Sequence, residues 1–169
     1  LIFDIVVYFM TGLEYDARKF FTYFGITCLV TYCMTAFFRM IAASTKSEPL
    51  ATMFGGVAVL DVALYTGYMI PRKSMKVWWR WLSYCNPVSF AYEILLTNEF
   101  RGRTFTCSPG SLVPSGGPYN NVPLANKVCA IAGAKPGTNE IDTSEYLDLS
   151  YGYKWENADR DAGIVIAFW

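Results

Sequence analysis

The 169-residue chain contains no histidine, which removes the commonest general base and the commonest metal ligand. Its five cysteines include no C-x-x-C pair to stand in, so metal chemistry is not expected and no metal ligands are assigned. Net charge is lacking too. The 14 basic and 14 acidic side chains cancel, which leaves no global field to attract nucleic acid or an anionic surface. There is no G-x-x-x-x-G-K-S/T loop to cradle phosphates. With no nucleophile–base pair either, no catalytic residue is assigned, and the chain by itself is not expected to be an enzyme. No internal repeat or extended low-complexity segment is found.

What is present is apolar. Of the residues 53% are hydrophobic and 17% aromatic, gathered in long blocks, which is the composition of a membrane protein. The first block, Leu1 to Leu13, has no basic stretch before it and no small-residue cleavage site after it, so it is not read as a signal peptide. Both ends read as cuts through a longer protein, since Gly163 to Trp169 is too short to cross a bilayer core of about 30 Å. Phe20 to Ala43, with Arg39 as its one charge, meets the length and polarity needed for a span. After the short polar link Ser44 to Pro49, Leu50 to Ile70 makes a second, antiparallel span whose one charge is Asp61, with Pro49 in its first turn and Gly67 and Pro71 ending it.

Arg72, Lys73 and Lys76 then bring the chain to an aqueous face. Trp78, Trp79 and Trp81 around Arg80 form an interfacial aromatic cluster. The stretch from Val77 to Leu96 is long enough to cross, but Arg80, Asn86-Pro87 and Glu93 divide it, and the residue before a proline is biased away from helix. We therefore expect two short helices over 71–100 that dip into the membrane and return, a re-entrant turn whose break must be covered by protein or a watery cavity. If these helices pack together, Arg80 is the expected partner of Glu93. From Arg101 to Ala162 the charges return with turn clusters at 108–110, 114–118 and 135–137, as in a water-exposed loop. Its later part, Tyr146 to Trp155, is compatible with a short helix or a strand.

Cys107 and Cys129 are the two cysteines of this loop, whereas Cys28, Cys33 and Cys85 lie in apolar stretches. A Cys107–Cys129 disulfide would stabilise the loop by roughly 3 kcal/mol on chain-entropy grounds and place it outside the cytosol. Two free thiols or an intermolecular bridge remain open on sequence. Arg18 and Lys19 at one end of the first span, and Arg39 and Lys46 at the other, leave charge bias silent on orientation.

Taken together, Tyr65-Thr66-Gly67-Tyr68-Met69-Ile70-Pro71, the WWRWLSYCNP cluster, Tyr92-Glu93, Asn98-Glu99-Phe100 and Cys107 resemble ATP-binding-cassette transporters of the G subfamily. More narrowly they resemble the fungal pleiotropic drug resistance exporters. Val7 to Leu13 and Phe38 to Ala43 are similar to that family's preceding helices, in the same order. The resemblance implies an all-α membrane protein, part of a six-helix ABC-2 type transmembrane domain. In that register 1–13 is the outer end of the third helix, 20–43 the fourth, 50–70 the fifth, 71–100 the outward-facing re-entrant turn, 101–162 a large extracellular disulfide loop and 163–169 the start of the sixth helix. It implies a plasma-membrane location and a share in the translocation pathway of an ATP-driven multidrug exporter. Its partners would be the lipid bilayer, apolar small-molecule substrates, the remaining transmembrane helices and the nucleotide-binding domains, where the parent would hold ATP and magnesium. The chain itself holds no cofactor.

The resemblance also implies roles. Counted back from Gly67, Met53, Gly56, Leu60 and Leu64 would face the substrate cavity, with Tyr68 and Met69 at the gate; three- and four-residue spacing allows one helix face. Asp61 departs from the apolar residue the family leads us to expect. An acid near the bilayer centre costs a few kcal/mol, so Asp61 is expected to face a watery cavity or a neighbouring helix, as a contact for cationic substrates or a satisfied hydrogen bond. Arg39 is read as a headgroup anchor. Glu93 lies where the family carries an acid linked to gate coupling, and a structural role is preferred for it and for Arg80. Asn98 and Glu99 are expected to stop the re-entrant helix and satisfy backbone groups. A different reading, a channel or receptor fragment with a pore-lining re-entrant segment, lacks the charge ring or carbonyl signature of a selectivity filter.

Overall fold

Local chemistry sets where each helix begins and ends. The computed structural model describes residues 2–114, 123–135 and 137–169. These divide into two units, Leu1–Glu99 with Trp155–Trp169, and Phe100–Lys154.

In the first unit, α1 (Ile2–Met10) stops before Gly12, whose φ of 68° is left-handed backbone that suits glycine. Asp16 caps α2 (Ala17–Ser44), accepting the Arg18 N–H at 3.0 Å. Its 28 residues rise about 42 Å at 1.5 Å each. Along α2 the hydroxyls of Thr27, Thr31 and Thr35 donate to carbonyls one turn back at 2.7–2.8 Å, so they need no water. Three residues later, α3 (Glu48–Tyr65) begins with Pro49 in its first turn. Ile41 shares one cavity with Phe54, and Cys33 shares another with Val62, so the two helices run antiparallel.

Only 6% of the most apolar stretch of α2, and 0% of that of α3, is buried within the protein. A core helix of a water-soluble domain is mostly buried, so these surfaces belong against lipid or other helices. The expected second span ran to Ile70, but α3 ends at Tyr65. Gly67 takes φ 99°, which a continuing helix cannot accommodate. Residues 66–79 follow as turns.

Two short helices come next, α4 (Arg80–Tyr84) and α5 (Pro87–Phe100). Asn86 between them is buried, and its side chain works in two directions. Its Oδ1 accepts the Val88 N–H at 3.0 Å, capping α5 with Pro87 in the first turn, while its Nδ2 donates to the Val62 carbonyl of α3 at 3.0 Å. The Asn-Pro break is therefore fastened to the end of the second long helix. The last helix of the unit is α7 (Ala158–Phe168), numbered after α6 of the other unit. It buries Ala158, Asp161 and Val165 on one face. Val165, Phe90 and Ala91 form a small core ringed by Ile26, Leu29, Val30 and Ile164.

The second unit contains two-stranded antiparallel pairs: β1 (Thr104–Thr106) with β4 (Glu140–Asp142), and β2 (Leu112–Val113) with β3 (Val128–Cys129). A disulfide joins Cys107 to Cys129 across a Cα–Cα distance of 6.2 Å. With Leu112 and Ile141 these cysteines make the buried core. Thr143 donates to the carbonyls of Phe100 and Arg103 at 2.5 and 2.7 Å, and Asp142 caps α6 (Thr143–Ser150) through the Ser144 N–H. The helix-or-strand choice for the later loop is thus helix through Ser150, ended before Gly152 at φ 75°. Gly133, at φ 81°, is also required by space, since a Cβ there would lie 3.2 Å from the Tyr146 nitrogen. Residues 115–118 of one expected turn cluster, Pro136 of another, and Leu1 of the opening run lie outside the described residues.

Candidate functional site

Two features of the first unit organise the candidate site: a buried polar network that joins residues of α4 and α5, and an apolar cavity beside the Asn86 break.

Glu93 lies on α5 and is 2% exposed. Its Oε2 accepts from Arg72 Nη1 at 3.0 Å and its Oε1 from Asn157 Nδ2 at 3.3 Å. The same guanidinium reaches Ser83 and Ser89 at 2.8–3.2 Å, and lies over the Phe90 ring at 4.6 Å. Charge, hydroxyl and ring partners satisfy both ions where water is scarce. The expected Arg80–Glu93 pair is corrected by this geometry. Among the described residues the Arg80 side chain makes only a long contact to the Met75 carbonyl, 3.4 Å, while the turns after Gly67 bring Arg72 to Ser83, Ser89 and Glu93. In the turn before α4 and on α4 itself Trp78, Trp79 and Trp81 remain 67%, 43% and 58% exposed, an apolar surface with polar edges suited to a membrane interface.

A second polar cluster holds the other end of α5. Asn98 donates to the Lys19 carbonyl at 3.1 Å, Glu99 accepts the Glu14 N–H at 2.9 Å, and Lys19 pairs with the Glu14 carboxylate. Both residues do satisfy backbone groups, but Glu99 that of the α1–α2 turn and Asn98 that of the first turn of α2; α5 runs past Asn98 and Glu99 to Phe100, so they do not stop it.

The cavity, of about 500 Å³, lies along the seam of α2 and α3 against the α4–α5 break and the end of α7. Phe37, Met34, Val62, Leu82 and Phe168 give it an apolar wall, and among the described residues Asp61 is the one charged residue that lines it. A further space of about 460 Å³ continues along the seam, and the two share Met40, Ala58 and Asp61. The Asp61 carboxylate has no hydrogen bond or ion pair among the described residues.

The residues expected on one cavity face stay together on α3, but away from the seam. Met53, Gly56, Leu60 and Leu64 do share a side of α3, but it is the exposed side, and they do not line the seam cavities. Asp61 is turned toward the seam. Tyr68 and Met69 lie beyond the end of α3, where Tyr68 meets the edge of Tyr92 at 6.3 Å. Arg39 is exposed near the end of α2. Among the cysteines outside the disulfide, Cys33 is buried and Cys85 exposed, both on the cavity wall. Arg72 and Asn157 were missed in the sequence. Arg72 stands between Pro71 and Lys73 with no periodic pattern, and Asn157 lies 64 residues from its partner. Among the described residues no group of three or more acidic or cysteine side chains comes together to hold a metal.

Bare antiparallel helices, a largely apolar cleft along their seam and an aromatic turn are the features of a mostly helical membrane domain. Residues 1–100 match the family described as ABC-2 type transporter and residues 113–169 that described as CDR ABC transporter; the chain belongs to the ABC-2 type transporter family. It is 42% identical over 168 residues to the Brefeldin A resistance protein of Schizosaccharomyces pombe, covering 99% of this chain and 11% of the relative. The ABC multidrug transporter atrF of Aspergillus flavus is 40% identical over 169 residues, covering 98% and 11%. The ATP-dependent permease PDR10 of Saccharomyces cerevisiae is 38% identical over 166 residues, covering 98% and 10%. The chain thus spans about a tenth of the length of the curated relatives it matches.

Proposed function

We propose that this chain supplies part of the translocation pathway, and its outward-facing roof, to an ATP-driven exporter of apolar and amphipathic compounds. The seam cavity carries the proposal: a partly open, mostly apolar space between two membrane-length helices suits varied hydrophobic cargo. Relatives named as multidrug transporters, and one named for brefeldin A resistance, support the same reading.

In this proposal α2 and α3 are the fourth and fifth of six helices, α7 begins the sixth, and α4–α5 form the re-entrant turn. The Arg72–Glu93 network holds that turn in shape. The Phe100–Lys154 unit is extracellular at the plasma membrane, where its disulfide persists. Met53, Gly56, Leu60 and Leu64 then face helices or cargo contributed by the rest of the parent, and Tyr68 and Met69 stand at the gate. ATP and magnesium are held by nucleotide-binding domains elsewhere in the parent and supply the driving force.

The test uses inside-out vesicles carrying the full-length transporter. Ala58→Trp, which fills the seam where the two cavities meet, is expected to lower ATP-dependent uptake of a neutral apolar dye about tenfold. Uptake equal to wild type would count against the cavity as the pathway.

A further inference from the structure

We infer that the seam is a recognition site for lipophilic cations, with Asp61 as the residue that selects them. This rests on the translocation reading above and adds the charge class of the cargo.

Among the described residues Asp61 is the one charged residue on the wall of either seam cavity, and no lysine or arginine lines them. Its placement on α3 puts it at their junction, together with Met40 and Ala58. An acid in a membrane helix normally faces an internal partner, because an uncompensated charge at that depth is costly. The Asn86 side chain, on the wall of the larger cavity, is turned to backbone groups instead, its Oδ1 accepting the Val88 N–H and its Nδ2 donating to the Val62 carbonyl. Asp61 has no hydrogen bond or ion pair among the described residues. A cation entering the seam supplies the missing partner.

The rest of the wall selects the ligand's remaining chemistry. Phe37, Phe168 and Trp169 present aromatic rings, whose faces attract positive charge. Met34 and Met40 add deformable apolar surface. A small hydrated cation gains little from such a wall, whereas a delocalised or well-shielded cation with a large apolar body matches both parts. An anion of the same shape meets a carboxylate with no compensating base.

Vesicles carrying the full-length transporter are given ATP and either tetraphenylphosphonium, a lipophilic cation, or Nile red, a neutral dye. Wild type is expected to take up both. Asp61→Asn should lower the cation-to-neutral uptake ratio about tenfold, and Asp61→Glu should hold it within about twofold. Met40→Lys, which tethers an ammonium beside the carboxylate, should lower the ratio as Asp61→Asn does and decides the matter if the asparagine variant fails to reach the membrane. An unchanged ratio in the variants that reach the membrane overturns the inference, as does wild-type uptake of Nile red alone. ATP-dependent uptake of neither probe by wild type would instead overturn the translocation reading on which it rests.

Discussion

Within Leu1–Glu99 and Trp155–Trp169 a buried arginine–glutamate pair, shared with two serines and an asparagine, fastens short helices to one another, whereas Phe100–Lys154 closes a four-residue core with a disulfide. On the reading proposed above, the difference follows from the solvent each unit meets. In the first, the long helices turn most of their apolar surface outward, so the bilayer supplies the driving force for burial and apolar contact discriminates poorly between arrangements. Directional polar contacts are left to fix how α4 and α5 fold back. In the second, strands of two or three residues are too short to be stable unaided in water. A covalent link that restricts the unfolded loop supplies the stabilisation that its small core does not.

The largest expected effect tests the polar side of that contrast. Glu93→Ala leaves the Arg72 guanidinium, whose side chain is 13% exposed, without its carboxylate, and breaking a buried pair from one side costs about 3–5 kcal/mol. Arg80→Ala removes only a long contact to a carbonyl and should cost under about 1 kcal/mol. Thermal unfolding of the purified full-length transporter compares them. Equal losses of Tm would show that Arg72 is not the partner that matters.

Next comes the covalent side. Cys107→Ser opens a bridge with a sequence separation of 22 and should destabilise its unit by roughly 3 kcal/mol. The expected readout is faster proteolytic cleavage within 100–154 of the membrane-embedded transporter, with 1–99 cut no faster than in wild type. Acceleration in both segments would mean that the bridge supports more than its own unit.

How much of this was legible in the sequence depended on whether the cause was local. Asn86-Pro87 announced a break because an asparagine cap and a proline at the first helical position act within a few residues. The partition of the cysteines pointed to Cys107 and Cys129, and the apolar lengths pointed to α2 and α3. Gly67 was visible as an end signal, yet its left-handed φ stops α3 before Tyr68 rather than after it. Pairing across turns was not legible. Arg72 looked like a solvated charge next to Lys73, and nothing in the spacing shows that residues 66–79 bring it to Glu93. The faces of α3 were equally hidden: three- and four-residue spacing puts Met53, Gly56, Leu60 and Leu64 on one side, but periodicity does not say which side meets α2.

That last point leads to the smallest expected effect on stability. Met53 and Leu60 are 55% and 64% exposed, so Met53→Ala and Leu60→Ala remove little packing within this chain and should shift stability by no more than about 0.5 kcal/mol. Their consequence for transport separates the two faces of one helix. If the exposed side of α3 contacts cargo in the assembled transporter, each variant should change vesicle uptake by about two- to threefold, more for bulky probes than for small ones, while Tm stays near wild type. If uptake across neutral and cationic probes stays at wild-type level, the open side packs on other helices or lipid. Cargo contact would then fall to the seam side, where Asp61 and Ala58 lie one and two residues from Leu60 yet face the cavities it does not line.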